Sequence, residues 1–215
     1  ISKEEFSSLY KVLPEATSSS PSGRHLGHYK VASLDDTLAD LHSTMMSIPH
    51  EVGFSPIRWQ TVVDIMLEKK QGDPKVHRLR IIALQESDFN QSNRLLLARP
   101  LMHHLEDNNL IPNMQYGSRP GKHCQSAILN KQLTFEIVRL TKTTAAFIEN
   151  DAIGCYDRMV NPLLILCLRK LGAHPKAVKS LAATWKHTIH YIKTKYGISS
   201  ISYKNTPDSL LFGPG

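Results

Sequence analysis

The sequence has 215 residues, 41% of them hydrophobic and 21% charged, which favours a folded chain with one large domain or two small ones. Lys and Arg outnumber Asp and Glu by 26 to 19, and this excess favours a polyanionic partner. Three cysteines, no signal peptide and no apolar run of membrane length argue against a disulfide-rich secreted protein and a membrane protein, so we expect an intracellular location, nuclear or cytoplasmic.

The first predicted element is an amphipathic helix over residues 2–13, with Ser2 as its N-cap and Glu5 completing a capping box. A Ser-, Pro- and Gly-rich stretch follows, and it ends in hydrogen-bond donors: Ser22, Arg24, His25, His28 and Lys30. A stretch of this composition is most often a solvated linker. Glycines beside cationic side chains equally suit an extended loop lying on a nucleic-acid backbone, so the residues alone leave both interpretations open.

Apolar residues at helical spacing predict a second helix over residues 35–50, stopped near Pro49. Two β-rich runs, 61–67 and 79–84, flank a Gly-Asp-Pro sequence and predict an antiparallel hairpin. Four cations lie near its tip: Lys69, Lys70, Arg78 and Arg80. Charges at a hairpin tip are usually only solubilising, but four of them with two nearby acids favour a triphosphate or a backbone phosphate as the partner.

Residues 88–106 predict a helix capped by Asp88 and kinked or divided at Pro100. A loop then leads into a predicted helix over residues 122–142. Two glycines and three polar or cationic residues stand ahead of that helix: Gln115, Gly117, Arg119, Gly121 and Lys122. Such a loop can seat a phosphate at the helix N-terminus, although a merely structural turn fits the local sequence nearly as well.

A run with strand-forming residues, Phe147 and Ile148, ends at Asp151. We therefore expect the carboxylate of Asp151 at the C-terminal end of a strand, open to solvent and to a metal ion. Tyr156 and Asp157 follow five and six positions later, where a further helix is expected to begin.

The last predicted elements are the helix that runs from residue 155 to Gly172, a helix over residues 175–185 and strands within residues 189–212. Mixed helices and strands of this kind indicate an α+β fold.

Five segments, in this order and at this spacing, resemble reverse transcriptases of the non-LTR type. They are residues 20–30, 78–84, 93–99, 115–128 and 151–158, which are similar to the N-terminal extension, the fingers motifs, the following helix, the Gln-Phe-Gly segment and motif A. Ser118 stands where that family has a second aromatic residue, and Tyr156 stands where Phe is commoner. Residues 211–215 look like the lead into motif B.

The resemblance implies the α+β fold of a right-hand polymerase: an N-terminal extension over residues 1–34, fingers over 35–143 and part of a palm over 144–215. It also implies an RNA-directed DNA polymerase, a nucleotidyltransferase whose partners are an RNA template, a DNA primer and dNTP, with no membrane partner. Motif C of the family has no counterpart up to Gly215, so we expect a piece of a longer polymerase that is inactive by itself.

The resemblance assigns roles residue by residue. Asp151 would be the catalytic carboxylate and, with the backbone carbonyl of Ala152, a ligand of Mg²⁺ or Mn²⁺ in a two-metal reaction. Tyr156 would lie under the incoming sugar and exclude a 2′-hydroxyl. The triphosphate would be bound by Lys69, Arg78 and Arg80. Template or primer would be contacted by Ser22, Gly23, Arg24, His28, Gln115, Gly117 and Arg119.

Three alternatives remain at this point. One is a non-catalytic RNA-binding domain derived from such an enzyme. Another is an RNA-dependent RNA polymerase or other right-hand polymerase. The bulky Tyr156 argues against it, because such an enzyme is expected to have a small or polar residue at that position. The third is a structural α+β domain without a ligand.

Overall fold

A computed structural model of the chain describes residues 1–16, 20–151 and 159–204. The fold is α+β, as the sequence predicts, and it contains helices and a four-stranded mixed sheet. The chain divides into two compact units, one comprising residues 1–100 with the chain from residue 156 onward, the other comprising residues 101–155. No helix in the described ranges is both long and apolar enough to cross a bilayer.

Three helices form the N-terminal part of the first unit: α1 (Lys3–Lys11), α2 (Leu26–Ala32) and α3 (Asp36–Val52). The predicted capping box is present, because the Ser2 hydroxyl accepts from the Glu5 amide at 3.1 Å while the Ser2 amide donates to the Glu5 carboxylate at 2.8 Å. Apolar side chains of the three helices pack into one core: Phe6, Leu9, Tyr10, Leu26, Tyr29, Ala32, Ala39 and Met46.

Helix α2 corrects the prediction of a linker or extended loop that reaches His28. The Ser-, Pro- and Gly-rich composition predicts a non-helical stretch, yet from Leu26 onward the chain buries one face of a helix against α1 and α3. Helix α3 also extends further than predicted. It continues past Pro49 to Val52 and ends at Gly53, whose φ of +83° is a conformation that glycine adopts without steric cost.

The sheet has the strand order β2-β1-β3-β4. Its strands are β1 (Thr61–Glu68), β2 (Leu79–Leu84), β3 (Ile189–Thr194) and β4 (Gly197–Tyr203). The β1–β2 and β3–β4 pairs are antiparallel hairpins, whereas β1 and β3 are parallel. The turns of both hairpins therefore emerge at the same end of the sheet, a placement that the sequence did not predict.

A second core forms where α8 (Pro175–His187) meets the 3₁₀ turn Ile57–Gln60, and it includes Phe89 of α4 (Ser87–Asn93). It is built from Trp59, Phe89, Leu97, Ala173, Ala177, Val178 and Leu181. Helix α8 confirms the helix predicted over residues 175–185, with Pro175 in its first turn, where the missing amide hydrogen costs nothing.

The helix predicted over residues 88–106 is divided, as the proline suggested. A π-helical turn, Arg94–Ala98, separates α4 from α5 (Arg99–Asp107), directly ahead of Pro100. The predicted cap is wrong: α4 begins at Ser87, so Asp88 lies within its first turn and its carboxylate is bonded to a side chain elsewhere.

The second unit contains the end of α5, a loop, α6 (Cys124–Thr141) and the segment that leads to Asp151. The predicted strand at Phe147 and Ile148 is wrong, because residues 143–151 have no regular secondary structure. The Phe147 ring packs edge-on against Phe135 of α6, with ring centroids 4.3 Å apart. No neighbouring strand within the described ranges pairs with this segment, and without one its backbone cannot form a ladder.

Helix α7 (Asn161–Lys170) begins later than predicted. Its first turn carries Pro162, a helix-start signal that the sequence contained. The residues where the start was expected, 155–157, lie outside the described ranges, as does the end of the 189–212 strand region.

Candidate functional site

The tip of the β1–β2 hairpin is formed as predicted and is strongly basic. Arg78 is paired with Asp73 at 2.5 Å, and the Gly72 amide donates to Glu68 at 2.8 Å, which closes the turn at a glycine with φ +83°. The other cations of the tip are exposed, and the described part of the chain offers them no ion pair: Lys69, Lys70, Lys75 and Arg80. Of the three residues assigned to a triphosphate, Lys69 and Arg80 thus have no ion pair with a residue that the structure describes, whereas Arg78 already has an acidic partner.

The base of the same hairpin is fixed by a buried ionic cluster. Arg58 bonds to the carboxylates of Glu86 and Asp88, and Glu86 is fully buried. Burial alone lowers the pKa of Arg58, but the hydrogen bonds and charges of Asp88 and Glu86 outweigh it and hold the pKa above its ordinary value. Two acids and one cation leave this cluster with net negative charge, so it is a structural anchor rather than a phosphate site.

The N-terminal extension is hydrogen-bonded onto this anchor. The amide and the hydroxyl of Ser22 both donate to Glu86, at 2.9 Å each. The Ser20 amide donates to the Gln85 carbonyl at 3.2 Å, and the Ser87 amide donates to the Ser20 hydroxyl at 2.8 Å. The extension that was assigned to nucleic acid is therefore held at the point where β2 ends.

The residues assigned to nucleic acid in this extension differ in whether they are exposed or already used in hydrogen bonds within the chain. The Ser22 hydroxyl is used internally, and Gly23 has φ +79° in a turn closed by its amide on the Ser20 carbonyl at 3.0 Å. Arg24 and His28 are exposed, and the described residues include no acidic partner for either. Both line a surface cavity of about 290 Å³ together with Tyr29, His42 and Met45.

In the second unit, the loop residues assigned to nucleic acid form hydrogen bonds with other residues of the same unit. The Arg119 guanidinium donates to both oxygens of Glu106, at 2.8 and 2.6 Å, and to the Pro112 carbonyl at 2.8 Å. Its side chain is only 7% exposed. The side-chain amide of Gln115 donates from Nε2 to the Gly117 carbonyl at 3.3 Å. Arg119 thus fixes the loop on α5 and is not open to a phosphate.

Asp151 is exposed and has no hydrogen bond or ion pair with any residue that the structure describes. Two residues before it, Glu149 is paired with Lys131 of α6. An exposed carboxylate is a suitable hard ligand for Mg²⁺. Within residues 1–16, 20–151 and 159–204, no cluster of three or more His, Cys, Asp or Glu side chains is placed to hold a metal ion. Ala152 and Tyr156, the other residues assigned to this site, lie outside the described ranges.

A buried polar cluster in the sheet was missed by the sequence analysis. Asp64 of β1 is fully buried, its carboxylate accepts from the Tyr203 hydroxyl and it lies 3.0 Å from Nδ1 of His190. Burial, and then the hydrogen bond to Asp64, raise the pKa of Tyr203. The signal in the sequence was an aspartate at a core position of a β-rich run, since Asp64 follows Val62 on the same face of the strand.

Comparison of the chain with models of protein families finds no match, and comparison with curated proteins finds none either.

Proposed function

We propose that the chain is part of an RNA-directed DNA polymerase, with α3 and the β1–β2 hairpin contributing to the fingers and Asp151 to the catalytic centre. The support from the sequence is the order of five motifs. The structural observation that carries most weight is that the Asp151 carboxylate is exposed and unpaired among the described residues, while its neighbour Glu149 is paired. A carboxylate without an internal partner is available to a cation.

Asp151 would hold Mg²⁺ or Mn²⁺, whose charge would supply acidification of the primer 3′-hydroxyl and neutralisation of the leaving pyrophosphate. The cations of the hairpin tip would bind the triphosphate. Lys69 and Arg80 do this directly, because neither has an acidic partner in the described ranges. Arg78 would take part only by exchanging Asp73 for a phosphate oxygen.

The extension has a positioning role in this proposal. Its bonds to Gln85, Glu86 and Ser87 keep Arg24 and His28 near the base of the hairpin, so template contacts and nucleotide contacts are held on one rigid element. The ionic anchor at Arg58 fixes both.

The direct test is template-dependent extension of a DNA primer on poly(rA) with dTTP and Mg²⁺, by the protein that contains this chain together with motifs B and C. A polymerase extends the primer, and omission of the RNA template abolishes extension. Tight RNA binding without any extension, under conditions where a control enzyme is active, would instead identify a non-catalytic RNA-binding domain.

A further inference from the structure

The parallel pairing of β1 with β3 brings two basic turns together. Ile65 of β1 lies beside Lys193 of β3, so the β3–β4 turn at Lys195 and Tyr196 projects from the same end of the sheet as the tip of the β1–β2 hairpin. The hairpin extends three residues beyond Ile65, to Glu68, which is about 10 Å further along the strand. The two turns are therefore adjacent, and the tip of the β1–β2 hairpin projects further from the sheet than the β3–β4 turn.

This basic end of the sheet comprises Lys69, Lys70, Lys75, Arg78, Arg80, Lys193 and Lys195. The acids beside it are Glu68 and Asp73, and Asp73 is paired with Arg78. Residues 189–204 contain no Asp or Glu, so the charged side chains of the second hairpin are all basic. Lys193 and Lys195 extend the positive charge of the hairpin tip onto the neighbouring strands, over a longer surface than the one triphosphate proposed for Lys69 and Arg80 would cover, and such an extended row suits a polyanion.

The surface between the cations is apolar. Arg80 is paired with Leu67 across the sheet, and Ile65 is flanked by Ile82 and Lys193, so these side chains share one face. Leu67 is 45% exposed and Ile82 is 47% exposed on that face. Beside them, Tyr196 is 88% exposed, with the Lys195 ammonium 5.0 Å from the centre of its ring.

Cations alternating with exposed apolar and aromatic side chains are typical of surfaces that bind single-stranded nucleic acid, because unpaired bases stack on the rings while the backbone follows the charges. A duplex would offer only its phosphates and would leave Tyr196 and Leu67 without partners. We propose that the basic end of the sheet binds single-stranded RNA, with Lys193 and Lys195 on phosphates and Tyr196 under a base. The inference deepens the proposed function, on which it rests, by adding the β3–β4 turn to the template-binding surface.

The test is fluorescence anisotropy of the 215-residue chain with a labelled 20-nucleotide single-stranded RNA, repeated at several salt concentrations. Matched arms use single-stranded DNA and a 20-base-pair duplex. The variants are Lys193→Gln with Lys195→Gln, and separately Tyr196→Ser. The control is Lys176→Gln with Lys186→Gln, which removes the same charge from exposed positions on α8.

We expect the double variant at the turn to weaken RNA binding and to reduce the slope of log Kd against log salt by about 1.4, since each lost phosphate contact in a single strand contributes about 0.7. Tyr196→Ser should raise the Kd about fivefold or more with the slope unchanged, because stacking is not ionic. The α8 variant should bind like the unmodified chain, and the duplex should be insensitive to Tyr196→Ser.

Three results would overturn the inference: no binding of single strands by the unmodified chain, turn variants that bind no worse than the α8 control, or a Tyr196 effect as large on duplex as on single strands. Stronger binding of single-stranded DNA than of RNA would still support a surface that binds single strands, but it would overturn the assignment of that surface to RNA. Primer extension is a separate readout, so loss of activity with intact RNA binding, or the reverse, distinguishes failure of the polymerase proposal from failure of this one.

Discussion

Ser22 donates both its amide hydrogen and its hydroxyl hydrogen to the buried carboxylate of Glu86, at 2.9 Å each. These two hydrogen bonds attach the segment around Ser22 to the end of strand β2, although the Ser- and Gly-rich composition of that segment resembles a linker. Glu86 has no exposed surface, and a buried carboxylate is stable only when cations and hydrogen-bond donors surround it. The arrangement therefore depends on Arg58 as much as on Ser22.

The Arg58 anchor predicts a large effect on stability. Arg58→Ala leaves Glu86 and Asp88 buried without their cation, and removing one partner of such a cluster lowers the free energy of unfolding by about 3–5 kcal/mol. Arg78→Ala, which breaks an exposed pair with Asp73, should lower it by less than about 1 kcal/mol. Urea denaturation of both variants measures the difference, and equal losses would show that the Arg58 cluster is not an anchor.

The buried Asp64 cluster predicts that removal of one hydroxyl group lowers the free energy of unfolding. Tyr203→Phe removes a hydrogen bond from a carboxylate that has no exposed surface, so the free energy of unfolding should fall by about 1–3 kcal/mol. Tyr196→Phe makes the same chemical change at an exposed turn and should alter it by less than about 0.5 kcal/mol. Thermal or urea unfolding compares the two, and a neutral Tyr203→Phe would mean that Asp64 is satisfied in another way.

His50 predicts a pH dependence of stability. Burial, with a smaller contribution from the Ile1 ammonium group, lowers the pKa of His50 to about 4, and its Nε2 lies 3.0 Å from the Ser92 hydroxyl. The unfolded chain takes up this proton near pH 6.5 and the folded chain only near pH 4, so stability is full above pH 6.5 and falls as the pH drops towards 4.

His50→Gln removes that titration while keeping a donor for Ser92. Between pH 7.5 and pH 5, the free energy of unfolding should fall by about 2 kcal/mol more in the unmodified chain than in the variant. Urea unfolding at both pH values provides the comparison. Parallel pH profiles would mean that the His50 pKa is close to its unfolded value.

The role expected of Tyr156, exclusion of the 2′-hydroxyl of the incoming nucleotide, predicts a change in nucleotide selection. In the protein that contains motifs B and C, Tyr156→Val should raise ribonucleotide incorporation, because the smaller side chain no longer meets a 2′-hydroxyl. The measurement is the ratio of kcat/KM for dTTP and UTP on the same primer and template. An active variant with an unchanged ratio would remove Tyr156 from the sugar site.

The sequence predicted the elements whose signals are local. The capping box at Ser2 and Glu5, the helix that begins at Pro175 and the β1–β2 hairpin around Gly72 all depend on neighbours within a few residues, and all are present. The strand at Phe147 was predicted from composition alone, and it failed because a strand also needs a pairing partner.

Long-range relationships were beyond such signals. Nothing near Asp64 in the sequence indicates His190, 126 residues away, and nothing near Ser22 indicates Glu86. The parallel pairing of β1 with β3 is equally non-local, so the second basic turn at Lys195 was not recognised. The resemblance predicts that Arg119 contacts nucleic acid, whereas its guanidinium bonds to Glu106, 13 residues earlier on α5.

The proposed function depends most on one role, that of the Asp151 carboxylate as a ligand of the catalytic metal. It is tested most directly by single-turnover primer extension with the protein that contains motifs B and C, comparing Asp151→Asn with Glu149→Gln, which makes the same change at a carboxylate already paired with Lys131. This role of Asp151 predicts that Asp151→Asn abolishes extension while RNA binding persists, and that Glu149→Gln extends the primer at close to the unmodified rate. Extension by Asp151→Asn at the rate of Glu149→Gln would contradict it.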